Sequence, residues 1–230
     1  MDSKVALVTG GNKGIGLAVS QGLGAQGVTV FVGARDRARG EEAASALRDQ
    51  KIDARFVQLD VTDAASVEAA HGEIARSAGR LDILVNNAGI ATPSFEQVYA
   101  TNVFGVERVT RAMLPLLQAA PKGRIVNVSS SMGSLTALAT RGSEIAIWAT
   151  KVPAYASSKA ALNALTLTLA EELAATAIVV NAACPGYVAT DINGHSGPRT
   201  TAQGASVIVD LALNATETGG FFNEEGRVGW

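Results

Sequence analysis

The sequence predicts a doubly wound α/β fold, with one mostly parallel sheet flanked by helices on both faces. Short runs rich in β-branched residues alternate with alanine- and leucine-rich segments of helical periodicity. The short runs are apolar nearly throughout, as in strands that are covered on both faces. Strand, helix and strand repeated in this order imply right-handed crossovers and a parallel sheet. Because no linker or shift in composition interrupts the alternation, we predict a single domain over residues 1–230.

The individual elements follow from these runs in chain order. The first strand is predicted at residues 5–8, where four apolar residues lead into a glycine-rich loop, and the first helix follows over 14–26. Later strands are predicted where short apolar runs recur, at 28–32, 55–59, 83–85, 124–128 and 178–181, with a last short run at 220–222. Further helices are predicted where apolar residues recur at helical spacing, at 39–50, 64–78 and 157–174.

Composition and charge exclude several classes of protein. Hydrophobic residues make up 47% of the 230 residues and charged residues 17%, so the chain can fill a core and is not intrinsically disordered. Nineteen basic residues against 21 acidic ones give a net charge of −2, which does not draw the whole molecule to nucleic acid or an anionic membrane. No apolar run reaches ~18 residues, so we predict no membrane-spanning helix.

The start of the chain and its cysteine content favour a cytoplasmic location. Only four apolar residues lie between Met1-Asp2-Ser3-Lys4 and the glycine-rich loop, too few for a signal peptide. The single cysteine, Cys184, cannot form an internal disulfide, which fits a reducing compartment, and we expect it to be a small packed hydrophobe. With only His71 and His195 besides, we expect no metal site.

The glycine-rich loop after the first strand is a candidate phosphate site. It reads Thr9-Gly10-Gly11-Asn12-Lys13-Gly14-Ile15-Gly16 and directly precedes a helix. Glycines allow a tight turn and a close approach of phosphate, and a helix N-terminus offers free N–H groups to an anion. The spacing is neither the G-x-G-x-x-G dinucleotide fingerprint nor a P-loop. An ordinary glycine-rich turn is the alternative, but the position between strand and helix favours a dinucleotide.

The end of the second strand indicates which dinucleotide is bound. An acidic residue there accepts hydrogen bonds from a ribose 2′-hydroxyl, whereas a basic residue accommodates a 2′-phosphate. Here Arg35 comes first, and Lys13 in the glycine-rich loop could supply a second positive charge. Both side chains could instead be solvated surface charges. We predict NADP(H) rather than NAD.

Two residues at the start of the longest helical segment are candidates for proton transfer. Tyr155 and Lys159 are four residues apart, so their side chains share one helix face. A phenol with a pKa near 10 is a poor acid or base at neutral pH unless a cation stabilises the phenolate, and Lys159 could do so. A single Y-x-x-x-K pair also arises by chance, so it needs support from elsewhere in the chain.

Polar segments follow two other predicted strands. The serines of 127–131 could donate a hydrogen bond to a substrate oxygen, and Asn86-Asn87-Ala88-Gly89 suits a turn pressed against a nucleotide. Helix-capping serines and an ordinary Asn/Gly turn are the alternatives.

Taken together, these motifs resemble the short-chain dehydrogenase/reductase family, whose members have a Rossmann fold. The resemblance covers residues 4–191 and includes, in the family's order, Thr9-Gly10-x-x-x-Gly14-x-Gly16, Asp60-Val61, Asn86-Asn87-Ala88-Gly89, Asn102, Ser130, Tyr155-x-x-x-Lys159 and Pro185-Gly186. More narrowly, the segment 5–16, Ala34-Arg35-Asp36, the segment 184–191 and Trp230 look like the NADPH-dependent carbonyl reductase branch.

The resemblance implies four catalytic residues and a cofactor site. Tyr155 would be the general acid in reduction, Lys159 would lower its pKa and bind the nicotinamide ribose, and Ser130 would polarise the carbonyl. Asn102 would fix a helix and a water that relays protons to Lys159. The cofactor-binding residues implied are Gly10, Asn12, Lys13, Gly14, Ile15, Gly16, Arg35, Asp60, Val61, Asn86, Ala88, Gly89, Tyr155, Lys159, Pro185, Gly186, Val188 and Thr190.

The sequence departs from the family pattern in two places. Ser130 and Tyr155 are 25 positions apart, about twice the usual separation, and we expect the extra residues within 131–154 to form a flap or short helix near the active site. Only 12 residues separate Gly89 from Asn102, so the helix between them should be truncated. The insertion leaves open whether the protein is a monomer or a homo-oligomer. Trp148, Tyr187 and His195 are candidate substrate contacts.

The predicted function is NADPH-dependent reduction of ketones or aldehydes to alcohols, with reversible alcohol oxidation. A sugar-nucleotide epimerase or dehydratase is one alternative, but such chains carry a longer C-terminal part than the 39 residues after Asp191. A non-catalytic NADP-sensing regulator is another, although it does not require Tyr155, Lys159, Ser130 and Asn102 together. The predicted partner is a small carbonyl or alcohol substrate.

Overall fold

The computed structural model describes residues 3–230, and in this range it contains an eight-stranded sheet. Its strands are β1 (Val5–Thr9), β2 (Thr29–Ala34), β3 (Ala54–Gln58), β4 (Ile83–Asn86), β5 (Arg124–Val128), β6 (Val179–Ala183), β7 (Phe221–Asn223) and β8 (Gly226–Arg227). The first seven confirm the seven predicted strands, with ends that differ by at most two residues. Met1 and Asp2, part of the start from which no signal peptide was predicted, lie outside the described residues.

Helices fill the intervals between the strands. They are α1 (Gly14–Gly24), α2 (Arg37–Asp49), α3 (Ala64–Ala78), α4 (Phe95–Tyr99), α5 (Gly105–Gln118), α6 (Leu135–Ala139), α7 (Glu144–Ala149), α8 (Pro153–Glu172) and α9 (Thr201–Asn214). The four predicted helices correspond to α1, α2, α3 and α8. The last of these begins four residues earlier than predicted, because the fixed φ of Pro153 suits the first helical position. Tyr155 therefore lies in the first turn of α8.

The strand order gives the sheet its topological switch point. The order is β3-β2-β1-β4-β5-β6-β7-β8, and all neighbours are parallel except β7 and β8. The chain leaves β1 in one direction to build β2 and β3, then returns to place β4 on the other side of β1. Such a reversal opens a crevice at the carboxyl ends of the strands, where doubly wound folds bind ligands. The predicted mostly parallel, doubly wound fold is confirmed.

The sheet is covered on both faces by a hydrophobic core. On one face, Val8, Val30 and Val85 are fully buried and pack with residues of α1, α2 and α9. On the other face, Leu7 and Leu84 are fully buried and pack with residues of α3, α5 and α8. Both faces bury apolar side chains, which explains why the strands read as continuous apolar runs.

The two departures from the family spacing have simple structural forms. Residues 131–154 contain a 3-10 turn at Ser131–Gly133 and the short helices α6 and α7, in agreement with the expected flap or short helix. The helix between Gly89 and Asn102 is α4, which has only five residues, as expected from the short spacing.

Two further findings concern membranes and metals. No helix in the part of the chain described here is both long and apolar enough to cross a bilayer. Among residues 3–230, no group of three or more histidine, cysteine, aspartate or glutamate side chains is arranged to hold a metal ion.

Candidate active site

Hydrogen bonds join the loop after β1 to the loop after β4. The Thr9 side-chain oxygen accepts from the backbone N–H groups of Asn87 and Ala88, each at 2.9 Å. In return, the Asn87 amide donates to the carbonyl oxygens of Thr9 (2.9 Å) and Gly10 (3.2 Å). These hydrogen bonds therefore join two motifs at the base of the crevice, although Thr9 and Asn87 are 78 positions apart in the chain.

The conformation of the glycine-rich loop depends on its glycines. Gly10 and Gly14 have φ values of 62° and 55°, which favour glycine. A Cβ at Gly16 would lie 2.3 Å from the carbonyl oxygen of Gly10, so only glycine allows the loop to close onto α1. Lys13, the residue before α1, makes no side-chain capping hydrogen bond. The first N–H groups of α1 are therefore available to an anion.

A cavity of about 440 Å³ lies beyond the ends of β2 and β3. Its lining includes Arg35, Arg37 and Asp60. Arg35 is exposed and free to turn toward a ligand, whereas Arg37 donates a 3.0 Å hydrogen bond to Gln58. Asp60 uses one carboxylate oxygen to accept from the N–H and hydroxyl of Thr62 at 2.9 and 2.7 Å. Sequence reasoning did not name Arg37, whose only signal was its position two residues after Arg35.

Lys13, the second positive charge predicted near the phosphate, is paired with a carboxylate in this structure. Its ammonium group lies 2.5 Å from a carboxylate oxygen of Asp191, and His195 contacts the other oxygen of that carboxylate at 2.9 Å. The hydrogen bond from Lys13 lowers the pKa of Asp191. The loop after β6 thus meets the glycine-rich loop, and a Cβ at Gly14 would lie 3.6 Å from the Thr190 methyl group.

Tyr155 and Lys159 share one face of α8, as their spacing predicts. The Lys159 ammonium lies 5.6 Å from the centre of the Tyr155 ring and donates a 2.7 Å hydrogen bond to the carbonyl oxygen of Val128 at the end of β5. Lys159 is only 4% exposed. A nearly buried lysine that donates to a backbone carbonyl is unusual, which makes Lys159 a candidate functional residue.

Burial dominates the acid–base properties of this pair. It raises the pKa of Tyr155 to about 12, with a further rise from Cys184 and an opposing hydrogen bond from Ser130. Burial lowers the pKa of Lys159 to about 8, opposed by Cys184. Loss of water around the phenol disfavours the phenolate and outweighs the other influences on Tyr155, and the role of Lys159 in lowering this pKa stays a prediction.

Ser130 lies beside Tyr155. It precedes the 3-10 turn Ser131–Gly133, and its hydroxyl oxygen accepts a 3.2 Å hydrogen bond from the N–H of Met132. Its hydrogen bonding to the Tyr155 side chain acts on the pKa of that phenol. The structure thus brings Ser130, Tyr155 and Lys159 together from β5 and α8.

Cys184 is a member of this site that sequence reasoning missed. It is buried, as expected, but it lies close enough to Tyr155 and Lys159 to affect the pKa of both. Its sulfur accepts a 3.2 Å hydrogen bond from the N–H of Ser131. The only sequence signal was its place at the end of β6, which is the next strand to β5 in the sheet.

Asn102 lies in a π-helical turn, Ala100–Phe104, between α4 and α5. Its side chain is fully buried, accepts from the N–H of Ile90 and donates to the Ile90 carbonyl, both at 2.9 Å. The amide also donates to the Ser158 hydroxyl at 3.1 Å, on the helix that carries Lys159. A π-helical turn inserts one residue and often occurs at functional sites. Asn102 therefore joins the π-helical turn to α8 and to Ile90, and its implied part in a proton relay stays a prediction.

Asn86 does not present its side chain to the crevice. The side chain is buried and donates to the Thr110 hydroxyl at 3.0 Å and to the Asn127 side chain at 2.9 Å. Its own oxygen is buried without a hydrogen-bond partner among the described residues. Any contact between Asn86 and a nucleotide must therefore go through its backbone.

The remaining predicted cofactor residues lie in or beside these loops. Ala88 and Gly89 follow β4, and a Cβ at Gly89 would lie 3.8 Å from the Lys159 ammonium. Val61 is buried after β3, and Pro185, Gly186, Val188 and Thr190 follow β6. In this loop Gly186 has a φ of 78°, and the Val188 side chain is buried. Asn12 and Ile15 lie half-buried in the glycine-rich loop.

The three candidate substrate residues lie on two exposed segments. Trp148 is 42% exposed on α7, where the Lys151 ammonium lies 4.3 Å from its ring centre. Tyr187 and His195 lie in the loop after β6, where the Tyr187 hydroxyl is 2.6 Å from that of Ser196. His195 has a φ of 61°, an unusual value for a residue with a side chain.

Comparison with known proteins relates the whole chain to one family. A family model described as short chain dehydrogenase matches residues 4–200. The chain is 36% identical to Carbonyl reductase (NADPH) 3 of Rattus norvegicus, with 95% of each protein covered. It is 34% identical to (-)-isopiperitenone reductase of Mentha piperita, covering 91% of this chain and 92% of that one. The solved structure of NADPH-bound carbonyl reductase from chicken fatty liver matches with a TM-score of 0.88, 30% identity and complete coverage of both chains.

Proposed function

The chain belongs to the short-chain dehydrogenase family, and from this premise we propose that it is an NADPH-dependent reductase of ketones and aldehydes. The observation that carries the proposal is the convergence of Ser130, Tyr155 and Lys159 at the carboxyl end of β5. Similarity to carbonyl reductases and to (-)-isopiperitenone reductase supports carbonyl reduction as the reaction class. We also propose a cytoplasmic protein whose partner is a small carbonyl or alcohol compound.

NADP(H) is the cofactor that the residues of the crevice fit. The pyrophosphate would lie on the glycine-rich loop, where the start of α1 has free N–H groups and a Cβ at Gly16 would block the loop. The 2′-phosphate would be held by Arg35 at the end of β2, where no carboxylate precedes it. The adenine would lie near Asp60 and Val61. The nicotinamide end would be held by Lys159 and the loop from Pro185 to Thr190. When bound, NADPH supplies the hydride that reaches the carbonyl carbon.

The side chains supply the proton and stabilise the developing charge. With a pKa of about 12, Tyr155 holds its proton at neutral pH and can donate it to the carbonyl oxygen. Ser130 donates a hydrogen bond to the same oxygen as negative charge develops there. Lys159, whose pKa is about 8, carries its positive charge at neutral pH beside the phenol and favours proton release.

The decay of NADPH absorbance in the presence of a panel of ketones and aldehydes tests this proposal. We expect turnover by the wild-type protein and a loss of about 10²- to 10⁴-fold in kcat for Tyr155→Phe, which keeps the ring but has no proton to donate. The variant should still bind NADPH, because most of the proposed cofactor contacts lie elsewhere. Near-normal turnover by Tyr155→Phe would contradict the role of Tyr155. NADPH binding by the wild type without turnover would support a non-catalytic sensor instead.

A further inference from the structure

Three consecutive residues at the end of β5 are hydrogen-bonded to one face of α8. The Asn127 amide donates to the Thr166 hydroxyl at 2.9 Å, and the Val128 carbonyl accepts from Lys159 at 2.7 Å. The Ser129 hydroxyl then donates to the side-chain oxygen of Asn163 at 2.6 Å. These contacts hold the end of β5 against α8. The next residue in the chain is Ser130.

Asn163 differs from the other two helix residues because it contacts both ends of the turn that contains Ser130. Its side-chain oxygen accepts from Ser129, and its amide donates to the carbonyl oxygen of Gly133 at 3.0 Å. The side chain is only 4% exposed, so water does not compete effectively for either bond. Asn163 lies four residues after Lys159 and eight after Tyr155, which places all three on the same face of α8.

Steric contact with the backbone of α8 prevents the same turn from moving toward the helix. A Cβ at Gly133 would lie 2.6 Å from the carbonyl carbon and 2.7 Å from the carbonyl oxygen of Lys159. The turn therefore already rests on the backbone of α8 and cannot move closer. The two hydrogen bonds of Asn163 prevent it from moving away. Together they determine how far Ser130 lies from Tyr155.

We propose that Asn163 is a positioning residue for carbonyl reduction, which holds Ser130 at the distance from Tyr155 at which both can reach one carbonyl oxygen. The inference rests on the proposed function, because it assigns Asn163 a role through Ser130. Asn163 itself touches neither the reacting carbonyl nor the transferred proton. Loss of Asn163 should slow the chemical step rather than weaken cofactor binding, since its two partners lie in the turn after β5.

The variant Asn163→Leu tests this role, because leucine has a similar branched shape and makes neither hydrogen bond. We expect kcat to fall by about 10- to 100-fold, the effect of misplacing a group that contacts the substrate, with little change in KM for NADPH. The matched control is Thr166→Val on the same helix face, which removes the bond from Asn127 but leaves the turn intact. It should keep kcat within about twofold of wild type, even if its melting temperature falls. Equal losses of kcat in the two variants would overturn the proposal.

A double-mutant cycle separates positioning of Ser130 from general support of α8. Ser130→Ala should lower kcat, and adding Asn163→Leu to it should cause no further loss if Asn163 acts through Ser130. Losses that multiply would show that Asn163 acts on Tyr155 or on the helix as a whole, and would overturn the proposal.

The variant Ser129→Ala approaches the same contact from the other side and serves if Asn163→Leu does not fold. It removes one of the two hydrogen bonds and should lower kcat several-fold, again with KM for NADPH unchanged. An unchanged kcat in Ser129→Ala would overturn the role of Asn163 while the proposed function stands. A wild-type protein that oxidises no NADPH with any carbonyl would overturn both.

Discussion

The pKa of Lys159 depends on the groups that surround its side chain. Its ammonium group donates to Val128, lies beside the Tyr155 ring and is close to the backbone of Gly89. Burial among these groups lowers its pKa to about 8, so its charge changes in the weakly alkaline range. Tyr155, with a pKa of about 12, remains protonated over the same range. In this structure the pH-sensitive member of the pair is the lysine.

The pH dependence of reduction should therefore follow Lys159. Because the pKa of Lys159 is lowered to about 8, its cation is present below pH 8 and is lost as the pH rises through that value. We expect kcat/KM for NADPH-dependent reduction to be highest at about pH 6 to 7 and to fall as the pH rises through about 8. Steady-state rates in buffers of constant ionic strength measure this profile. Lys159→Arg, which stays charged, should lose the fall near pH 8 even if its overall rate is lower. The same fall in that variant would assign it to another group.

Arg35 should determine the preference for NADPH over NADH. A charge-assisted hydrogen bond to a phosphate contributes about 1.5–3 kcal/mol, and the low end applies because Arg35 is exposed. We expect Arg35→Ala to raise KM for NADPH roughly tenfold and to leave kinetics with NADH nearly unchanged. Arg55→Ala, which removes an equal charge that is paired with Asp53, is the matched control. Equal effects of Arg35→Ala on both cofactors would identify Arg35 as a surface charge only.

At the scale of elements, the connection between β1 and α1 is the most constrained part of the cofactor site. Thr9 ties it to the loop after β4, and Gly10, Gly14 and Gly16 give it a shape that side chains would prevent. The atoms that a Cβ at Gly16 would meet are the backbone of Gly10 and the Asn87 amide, at 2.3 and 2.5 Å. Neither can move without breaking the hydrogen bonds that join the two loops.

The variant Gly16→Ala should accordingly lose both stability and NADPH affinity. We expect a decrease of about 1–3 kcal/mol in the free energy of unfolding, typical of overpacking, measured by urea denaturation. NADPH binding, followed by its fluorescence, should weaken as well because the loop must open. The control is Gly72→Ala in α3, where a Cβ would meet only the flexible end of Arg76 at 3.2 Å. That change should be neutral or stabilising by up to about 1 kcal/mol. Similar losses in both variants would mean that the close contact at Gly16 is not the cause.

At the scale of the whole molecule, the sheet connects all the parts of the site. Packing of α1 on α9 covers one face, and α3, α5 and α8 cover the other. On the outer surface, Arg111 of α5 contacts Glu107 and also Glu172 of α8, which lowers the pKa of Glu172. Both helices therefore use exposed charged groups to pair within the chain. The mass of the protein in solution distinguishes a monomer from a homo-oligomer.

We propose that the chain folds as a single domain, because its strands from β1 to β8 form one sheet in the described residues. Thermal unfolding should then be one cooperative transition. The two tryptophans provide local probes, since Trp148 lies on α7 and Trp230 stacks on Phe221 at 5.4 Å between ring centres. In Trp148→Phe, the fluorescence of Trp230 and far-UV circular dichroism should give the same midpoint. Separate midpoints would indicate that the C-terminal edge unfolds independently.

The sequence by itself determined the order of the elements and predicted the residues of the proposed site. Continuous apolar runs predicted the buried parallel strands, because both faces of such strands must be covered. The sequence could predict the glycine-rich loop and the pair Tyr155 and Lys159, because backbone conformation and helical spacing are local properties. The truncated helix before Asn102 and the insertion after Ser130 followed from the spacing of motifs compared with the family pattern. What these signals share is that each depends on residues close together in the chain.

Only the tertiary structure decided which side chains meet. Cys184 reaches Tyr155 because β6 lies beside β5, and Asn163 reaches Ser129 and Gly133 because α8 packs on that edge of the sheet. Asn86 faces the interior and Lys13 pairs with Asp191, although both motifs are at the expected positions. Burial also raises the pKa of Tyr155. These properties depend on contacts between residues far apart in the chain and on the exclusion of water, which local spacing does not specify.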